Sequence, residues 1–139
     1  MILGTNTFGD VIMVRQFIST NSPYEKIASF SRAVVQGDWV FASGCTGYDP
    51  DIDSMSEDPA VQTHQAFKLI NWLLDEAGFS LNDVVRIVVY LADRNDFDSI
   101  APVIGEYFRD INPANTTVEA RLVDPRMKVE IEITAYRGA

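Results

Sequence analysis

The sequence contains a single cysteine, Cys45, and a single histidine, His64. One cysteine cannot form a disulfide within the chain, and this inventory is too small for a metal site built from histidines and cysteines. Positive charge is also scarce, because 11 lysines and arginines face 20 aspartates and glutamates and leave a net charge of −9. Such a chain repels phosphate backbones, so we expect no nucleic-acid partner. We also expect no metal and no other cofactor.

Long apolar runs are missing as well. No stretch approaches the roughly 20 apolar residues that cross a bilayer, and the first residues lack a basic segment followed by a long apolar one. We therefore expect a soluble, cytoplasmic protein without a membrane partner. The chain does have 47% hydrophobic residues over 139 positions. That content is typical of one domain with a substantial core, which we expect to span 1–139.

The first half of the chain has strand signals before its first helix. A strand is predicted over about 10–20, and strands at about 30–35 and 39–43 are predicted to pair as a hairpin. A polar loop over 44–57 leads to a helix that begins after Asp58 and ends at Gly78.

The second half places an apolar strand between two helices. Residues 84–91 are almost continuously apolar, which predicts a central strand covered on both faces, with Arg86 either paired or at an edge. The next helix is capped by Asp93 or Asn95 and is bent or delayed by Pro102. With two final strands, the order favours an α+β two-layer sandwich: a mixed six-stranded sheet with two helices on one face.

Polar and apolar residues alternate along both final strands. In the first, Asn115, Thr117, Glu119 and Arg121 share a face, and Glu130 and Glu132 share the polar face of the second. Asp124-Pro125 between them is a turn signal, which predicts that the two strands pair as a hairpin. Their polar faces are then either plain solvent-exposed surface or the wall of a binding site.

Seven short segments resemble a known family by their order and spacing. They are SRAV, GDWVFASG, QTHQAF, AGFSLNDVVRIVVYL, DFDSI, PANTTVEARL and KVEIE. Together they resemble the Rid family, also called YjgF, some of whose members were formerly labelled L-PSP endoribonucleases. The similarity covers about 30–137. It implies a fold like bacterial chorismate mutase, a homotrimer with small-molecule pockets between neighbouring subunits, and hydrolysis of reactive enamines or imines.

The resemblance also implies roles for individual residues. Glu130 matches the family's acidic residue, which positions or activates the attacking water; alternatively, it is an exposed carboxylate paired with Lys128 or an arginine. Asn115 stands where active members have the arginine that binds the substrate carboxylate, and an amide lacks that charge. Thr117 stands where several members have cysteine, and Phe30 where several have a tyrosine whose hydroxyl reaches the pocket.

Four further residues are candidates near this pocket. Ser43 and Gly44 match a segment whose backbone lines it, since glycine permits close approach of a ligand; the alternative is a simple turn at a strand end. Arg32 and Arg121 share strand faces with Phe30 and Asn115 and are candidate anion-binding residues. Their alternative role is a salt bridge between subunits with Glu119 or Glu132.

Three functions remain open at this level. The first is a cofactor-independent enamine or imine deaminase with Glu130 as its catalytic residue. The second is a non-catalytic trimer that binds a metabolite for regulation or transport. The third is a ribonuclease, which the acidic charge opposes. A nucleophilic pair of Cys45 and His64 has no local motif to support it, and Trp39 and Trp72 are interpreted as core or interface aromatics.

Overall fold

The protein is described by a computed structural model that defines residues 3–8 and 11–138, with side chains from residue 15 onward. Its helices are α1 (Pro23–Ala28), α2 (Pro59–Ala77) and α3 (Phe97–Tyr107). Its first seven strands are β1 (Leu3–Phe8), β2 (Val11–Ile18), β3 (Ala33–Gln36), β4 (Trp39–Ala42), β5 (Cys45–Thr46), β6 (Tyr48–Asp49) and β7 (Ser54–Met55). The remaining strands are β8 (Val84–Leu91), β9 (Ala114–Glu119) and β10 (Val129–Tyr136).

One mixed sheet organises this part of the chain. Its order is β1-β2-β3-β4-β10-β8-β9, and β5 also pairs with β10. Neighbouring strands are antiparallel except β8 and β9, which are parallel. The packed helices α2 and α3 cover one face, here called the helix face, and the other is the open face. The predicted α+β architecture is confirmed, and the six predicted strands are present as β2, β3, β4, β8, β9 and β10. The sheet has eight strands rather than the predicted six, because β1 pairs with β2 and the short β5 pairs with β10.

The long helix α2 begins and ends where the sequence predicts. The Asp58 carboxylate accepts a hydrogen bond from the Ala60 amide at 2.8 Å, and Pro59 occupies the first turn. Gly78 ends the helix with a φ of +75°, a left-handed conformation that glycine adopts without strain. The apolar stripe of α2 faces the core, where the Phe67 ring stacks on Tyr107 of α3 with centroids 4.1 Å apart.

The predicted hairpin of the last two strands is wrong. β8 lies between β9 and β10, and the segment 120–128 connects them across its end. Asp124 does form a turn, in which its carbonyl accepts from the Met127 amide at 3.0 Å, but the connection is long enough to pass a whole strand. The apolar β8 therefore gains hydrogen-bonding partners on both of its edges.

The prediction that β8 is covered on both faces is also wrong for the described chain. Ile87, Val89 and Leu91 are buried on the helix face, whereas Val85 and Arg86 are exposed. Arg86 forms no salt bridge with any described residue. Its charge needs none, because no second layer of the described chain covers the open face and water reaches the guanidinium.

A buried glutamine fastens the long loop to the core. The Gln62 amide nitrogen donates to the carbonyl oxygens of Ser56 at 2.6 Å and Arg126 at 2.9 Å, and its oxygen accepts from the Lys128 amide at 2.9 Å. Gly47 packs so closely that a Cβ there would lie 2.4 Å from the Gln62 Cβ. Gln62 therefore joins the loop before α2 to the segment that enters β10.

We predict that Gln62→Leu lowers the free energy of unfolding by about 2–4 kcal/mol, because backbone groups it satisfies lose their partners while the apolar volume stays similar. Urea denaturation followed by circular dichroism measures the change. Gln65→Leu on the same helix is the matched control and should change stability by less than about 1 kcal/mol. Equal effects of the two variants would contradict the proposed role of Gln62.

Candidate functional site

Two carboxylates occupy the open face of β10. Glu130 and Glu132 alternate there with buried Val129, Ile131 and Ile133, as period two requires. The Tyr90 hydroxyl of neighbouring β8 donates a hydrogen bond to Glu132 Oε1, and this bond raises the tyrosine pKa. Glu132 is therefore engaged within the chain, whereas Glu130 has no side-chain hydrogen bond to a described residue.

Glu130 rests directly against Gly44. This glycine lies between β4 and β5, where Thr46 of β5 pairs with Glu130. A Cβ built on Gly44 would lie 2.0 Å from Glu130 Oε1, far inside any real contact distance. The absence of a side chain at Gly44 makes room for the carboxylate. This contact favours the interpretation of Gly44 as part of a site over the alternative of a simple turn at a strand end.

Arg32 forms the other wall beside this carboxylate. Its backbone joins β2 to the end of β4, since the Arg32 amide donates to Ile18 at 2.8 Å and its carbonyl accepts from Ser43 at 2.8 Å. Its Nη1 donates to the Gly44 carbonyl at 3.0 Å, and its guanidinium carbon lies 5.0 Å from the centre of the Phe30 ring. Its Nε is buried and has no hydrogen-bond partner among the described residues.

The environment of Glu130 makes it a better proton acceptor than an ordinary glutamate. Burial raises its pKa, the positive charge of Arg32 opposes this, and the negative charge of Glu132 raises the pKa further; the net shift is upward. Arg32 and Glu130 do not form a salt bridge, so the carboxylate is not neutralised by direct pairing. We call Arg32, Gly44, Glu130 and Glu132 the Glu130 cluster.

Cys45 and His64 do not form a nucleophilic pair. Cys45 is buried, and burial raises its pKa to about 12. The positive charge of Arg32 lowers this pKa by a smaller amount, and the negative charge of Glu130 raises it by a smaller amount. Its sulfur lies 3.5 Å from the Ser43 carbonyl oxygen. His64 lies on the exposed side of α2 with Nδ1 2.8 Å from the Tyr107 hydroxyl. A protonated, buried thiol without a base is not a nucleophile.

A second candidate region lies on the helix face, along edge strand β9. Asn115 and Thr117 pair with Ile87 and Val89 of β8, so their side chains lie on the same side as those core residues. The Thr117 hydroxyl donates to Asn115 Oδ1 at 2.8 Å. This arrangement corrects the prediction that the polar faces of β9 and β10 lie together, because pairing through β8 reverses the face of β9.

Asn115 and Ile104 border two cavities of about 430 and 350 Å³ between α3 and the edge of the sheet. We call the two together the Asn115 groove. The larger cavity is lined by Ile87, Ile104, Gly105, Phe108, Arg109, Asp110, Asn112, Pro113 and Asn115. The smaller is lined by Val89, Leu91, Phe97, Ile100, Ala101, Ile104, Asn115 and Thr117.

The predicted site residues therefore fall into three places. On the open-face side, the structure brings together Phe30, Arg32, Ser43, Gly44 and Glu130, and the Ser43 hydroxyl donates to the Ser31 carbonyl at 2.6 Å. In the Asn115 groove it places Asn115 and Thr117.

Arg121 lies in neither place, because β9 ends at Glu119 and Arg121 is exposed in the following loop. Glu119 is bound instead by Arg94, whose Nη2 lies 3.0 Å from the carboxylate.

Sequence reasoning missed the groove side of α3. Ile100, Ile104 and Phe108 recur at helical spacing along α3 and its end; they pack in or against the core, and they also line the cavities. Spacing at i, i+4 and i+8 could not separate the two roles, because a core face and a cavity wall have the same composition. Tyr90 was also missed, since its contact with Glu132 depends on strand register.

Comparisons with known proteins identify the family. Residues 19–137 match the family described as Endoribonuclease L-PSP. A RutC family protein of Pyrococcus abyssi is 35% identical, with 90% of this chain and 99% of the relative covered. Human 2-iminobutanoate/2-iminopropanoate deaminase is 31% identical, with 91% and 93% covered.

A solved member of the YjgF/YER057c/UK114 family from Mycobacterium tuberculosis superposes with a TM-score of 0.81 at 34% identity, covering 88% of this chain and 99% of the other. The chain therefore belongs to the Rid family, also known as YjgF. Among the described residues, no helix is long and apolar enough to span a bilayer.

The contact of Gly44 with Glu130 predicts a coupled pair of mutations. Gly44→Ala should lower the free energy of unfolding by about 1–3 kcal/mol, because the new methyl group displaces the carboxylate. In a Glu130→Ser background the same change should cost less than half as much, since the obstructing atoms are gone. Denaturant unfolding of the four proteins in this cycle measures the coupling, and additive effects would contradict the contact.

The raised pKa of Glu130 predicts a pH dependence of stability. A carboxyl whose pKa is higher when folded contributes stability below its unfolded pKa, and that contribution is lost as pH rises through the folded pKa. Glu130→Gln cannot ionise, so the variant should gain stability relative to wild type as pH rises above about 4, the pKa of a glutamate in an unfolded chain.

Glu119→Gln is the control with the opposite sign. Hydrogen bonds from Arg94 lower the pKa of Glu119, so its contribution is present at neutral pH and is lost as pH falls. This variant should lose stability relative to wild type as pH rises from about 3 to 6. Thermal unfolding over a pH series measures both variants, and parallel pH profiles would contradict the assignment for Glu130.

Proposed function

We propose that the protein hydrolyses reactive enamine or imine metabolites to a carbonyl compound and ammonia, in pockets between the subunits of a homotrimer. The observation that carries the proposal is the carboxylate of Glu130, half-buried against Gly44 with a raised pKa. A family relative named 2-iminobutanoate/2-iminopropanoate deaminase supports the reaction class.

The chemistry requires a positioned water and a proton acceptor. Glu130 removes a proton from the water as its oxygen bonds to the imine carbon, and the electrons of the C=N bond move to nitrogen. Glu130 returns that proton to nitrogen, which gives a neutral carbinolamine. The hydroxyl proton is then transferred to nitrogen by way of Glu130 while the C=O double bond forms and the C–N bond breaks, and ammonia is released. Arg32 stands near Glu130 without pairing to it and is a candidate to orient the water or a polar atom of the substrate.

The strand register supports a pocket built from two copies of the chain. Glu130 lies opposite Tyr90 on the open face, whereas Thr117 lies opposite Val89 on the helix face. One ligand cannot touch both sides of a sheet, so a pocket that uses Glu130 and Asn115 must take them from different copies.

The open face offers a surface for such contacts. Stacked Trp39 and Phe41 are 41% and 50% exposed there, which is a large apolar area for a free surface. We propose that these aromatics are covered in the homotrimer and that each subunit has the fold of bacterial chorismate mutase. Trp72 of α2, equally exposed, is also available for an interface.

A metabolite-binding trimer without catalysis is the second candidate. Asn115 and Phe30 favour it, because neither side chain supplies the positive charge or the hydroxyl that active relatives use. A ribonuclease remains the weakest candidate despite the family description, since the net charge of −9 opposes RNA binding. We further propose the cytoplasm as the compartment and a small metabolite as the ligand.

Replacement of Glu130 tests the proposed reaction. Glu130→Gln retains the size of the side chain but removes a basic carboxylate, so turnover of an imine substrate should fall about a hundredfold or more while binding survives. We would measure ammonia release from imines generated in situ, including short, aromatic and uncharged ones. Glu76 is an exposed residue of α2, so Glu76→Gln is the control and should retain wild-type turnover.

Light scattering accompanies the assay and should find three 15.5 kDa chains in wild type and in both variants. A monomer at micromolar concentration would eliminate the intersubunit site. Equal turnover of wild type and Glu130→Gln would eliminate the catalytic role of Glu130. A correctly assembled wild type that hydrolyses no imine would leave the metabolite-binding trimer as the function.

A further inference from the structure

We propose that the Asn115 groove accepts an uncharged ligand, a neutral carbonyl or imine compound with an apolar arm, and selects against carboxylates. The proposal rests on the proposed function in one respect only: it takes the groove as the ligand-binding half of the site. It adds a substrate class, because hydrolysis of imines by itself does not specify the charge of the molecule.

The polar end of the groove presents neutral donors. The Thr117 hydroxyl donates to Asn115 Oδ1 at 2.8 Å, which occupies the amide oxygen with a partner inside the chain. The Asn115 Nδ2 group then carries two N–H donors that can face a ligand. A ketone, amide or imine can accept these hydrogen bonds without a charged partner. A carboxylate would lose its hydration in the groove, and no positive charge at Asn115 would compensate for that cost.

The adjoining wall is apolar. Next to Asn115 and Thr117, the 350 Å³ cavity is lined entirely by hydrocarbon or aromatic side chains. Phe97, Ala101 and Ile104 come from α3, and Val89 and Leu91 from β8. A cavity of this size has room for an arm of several carbons, and each buried methylene should improve affinity roughly three- to fourfold.

Charged groups line only the larger of the two cavities. Arg109 and Asp110 are the only charged side chains among the described residues that line either cavity, and both line the larger one, which Asn115 also borders. They carry opposite charges, and both are exposed to solvent, which screens them. The chain's net charge of −9 adds a further penalty for an anion.

A matched pair of probes tests the charge preference. 2-Oxohexanamide and 2-oxohexanoate share a carbon skeleton and a ketone but differ in charge at pH 7. Isothermal titration calorimetry with the assembled wild-type protein should show the amide binding at least about tenfold more tightly. 2-Oxopropanamide, which has a shorter chain, should bind more weakly than 2-oxohexanamide, by roughly three- to fourfold in affinity per methylene removed.

Three variants locate the binding in the groove. Asn115→Arg should reverse the preference and strengthen 2-oxohexanoate by about ten- to a hundredfold, because it supplies the missing charge. Ala101→Phe should fill the apolar cavity and weaken the long amide more than the short one. Lys26→Gln, an exposed residue of α1 that lines neither cavity, is the control and should leave the preference for the amide unchanged.

The outcomes distinguish this proposal from the deaminase assignment. Tighter binding of the acid by wild type, or no binding of either probe at millimolar concentration, would overturn the neutral-ligand proposal. An unchanged preference in Asn115→Arg would overturn it as well. A protein that selects the amide but hydrolyses no imine would retain this proposal and lose only the catalytic one.

Discussion

The position of β8 between β9 and β10 is the constraint on which the candidate site depends. Its antiparallel pairing with β10 and parallel pairing with β9 determine which side chains share a face. Alternation along each strand then sends Glu130 to the open face and Asn115 to the helix face. A shift of β10 by one residue would turn Glu130 and Glu132 toward the core, and a shift of β9 by one residue would move Asn115 to the open face. The same register that forms the core therefore divides the candidate site into two halves.

The ionised carboxylate of Glu130 lies in an environment that disfavours its charge. Half-burial disfavours its ionised form, and the nearby Glu132 adds repulsion that Arg32 only partly offsets. A polar neutral residue at this position would avoid that cost. Gly44 also reflects this arrangement, because a side chain at its position would collide with the Glu130 carboxylate. A carboxylate with a raised pKa, next to a glycine that leaves space for it, is typical of a catalytic or binding centre.

The Asn115 groove differs from this cluster in kind. Its 350 Å³ cavity has two neutral polar residues, Asn115 and Thr117, which are hydrogen-bonded to each other, and an apolar wall from α3 and β8. The charged side chains that line the groove, Arg109 and Asp110, belong to the larger cavity. The position of Asn115 is therefore occupied by a hydrogen-bonded neutral pair beside hydrocarbon side chains.

Much of the fold could be predicted from the sequence by itself. Asp58, Pro59 and Gly78 determine the ends of α2 because capping is local chemistry, and the alternation along 128–136 determines which side of β10 is buried. The motifs that resemble the Rid family also identified Glu130 and Asn115 as the residues to examine. Signals of this kind depend on interactions within a few residues, so they can be interpreted without knowing which strands pair.

Only the tertiary structure decided which strands meet. The turn at Asp124 is as compatible with a hairpin as with a connection past β8, and the choice depends on the unpaired edges of a distant strand. The contact of Gly44 with Glu130 and the groove between α3 and Asn115 depend on the same long-range pairing. The sequence by itself thus determined the elements and the candidate residues. The pairing of strands far apart in the chain decided which of those residues lie together, because hydrogen bonding between strands carries no local signature of its partner.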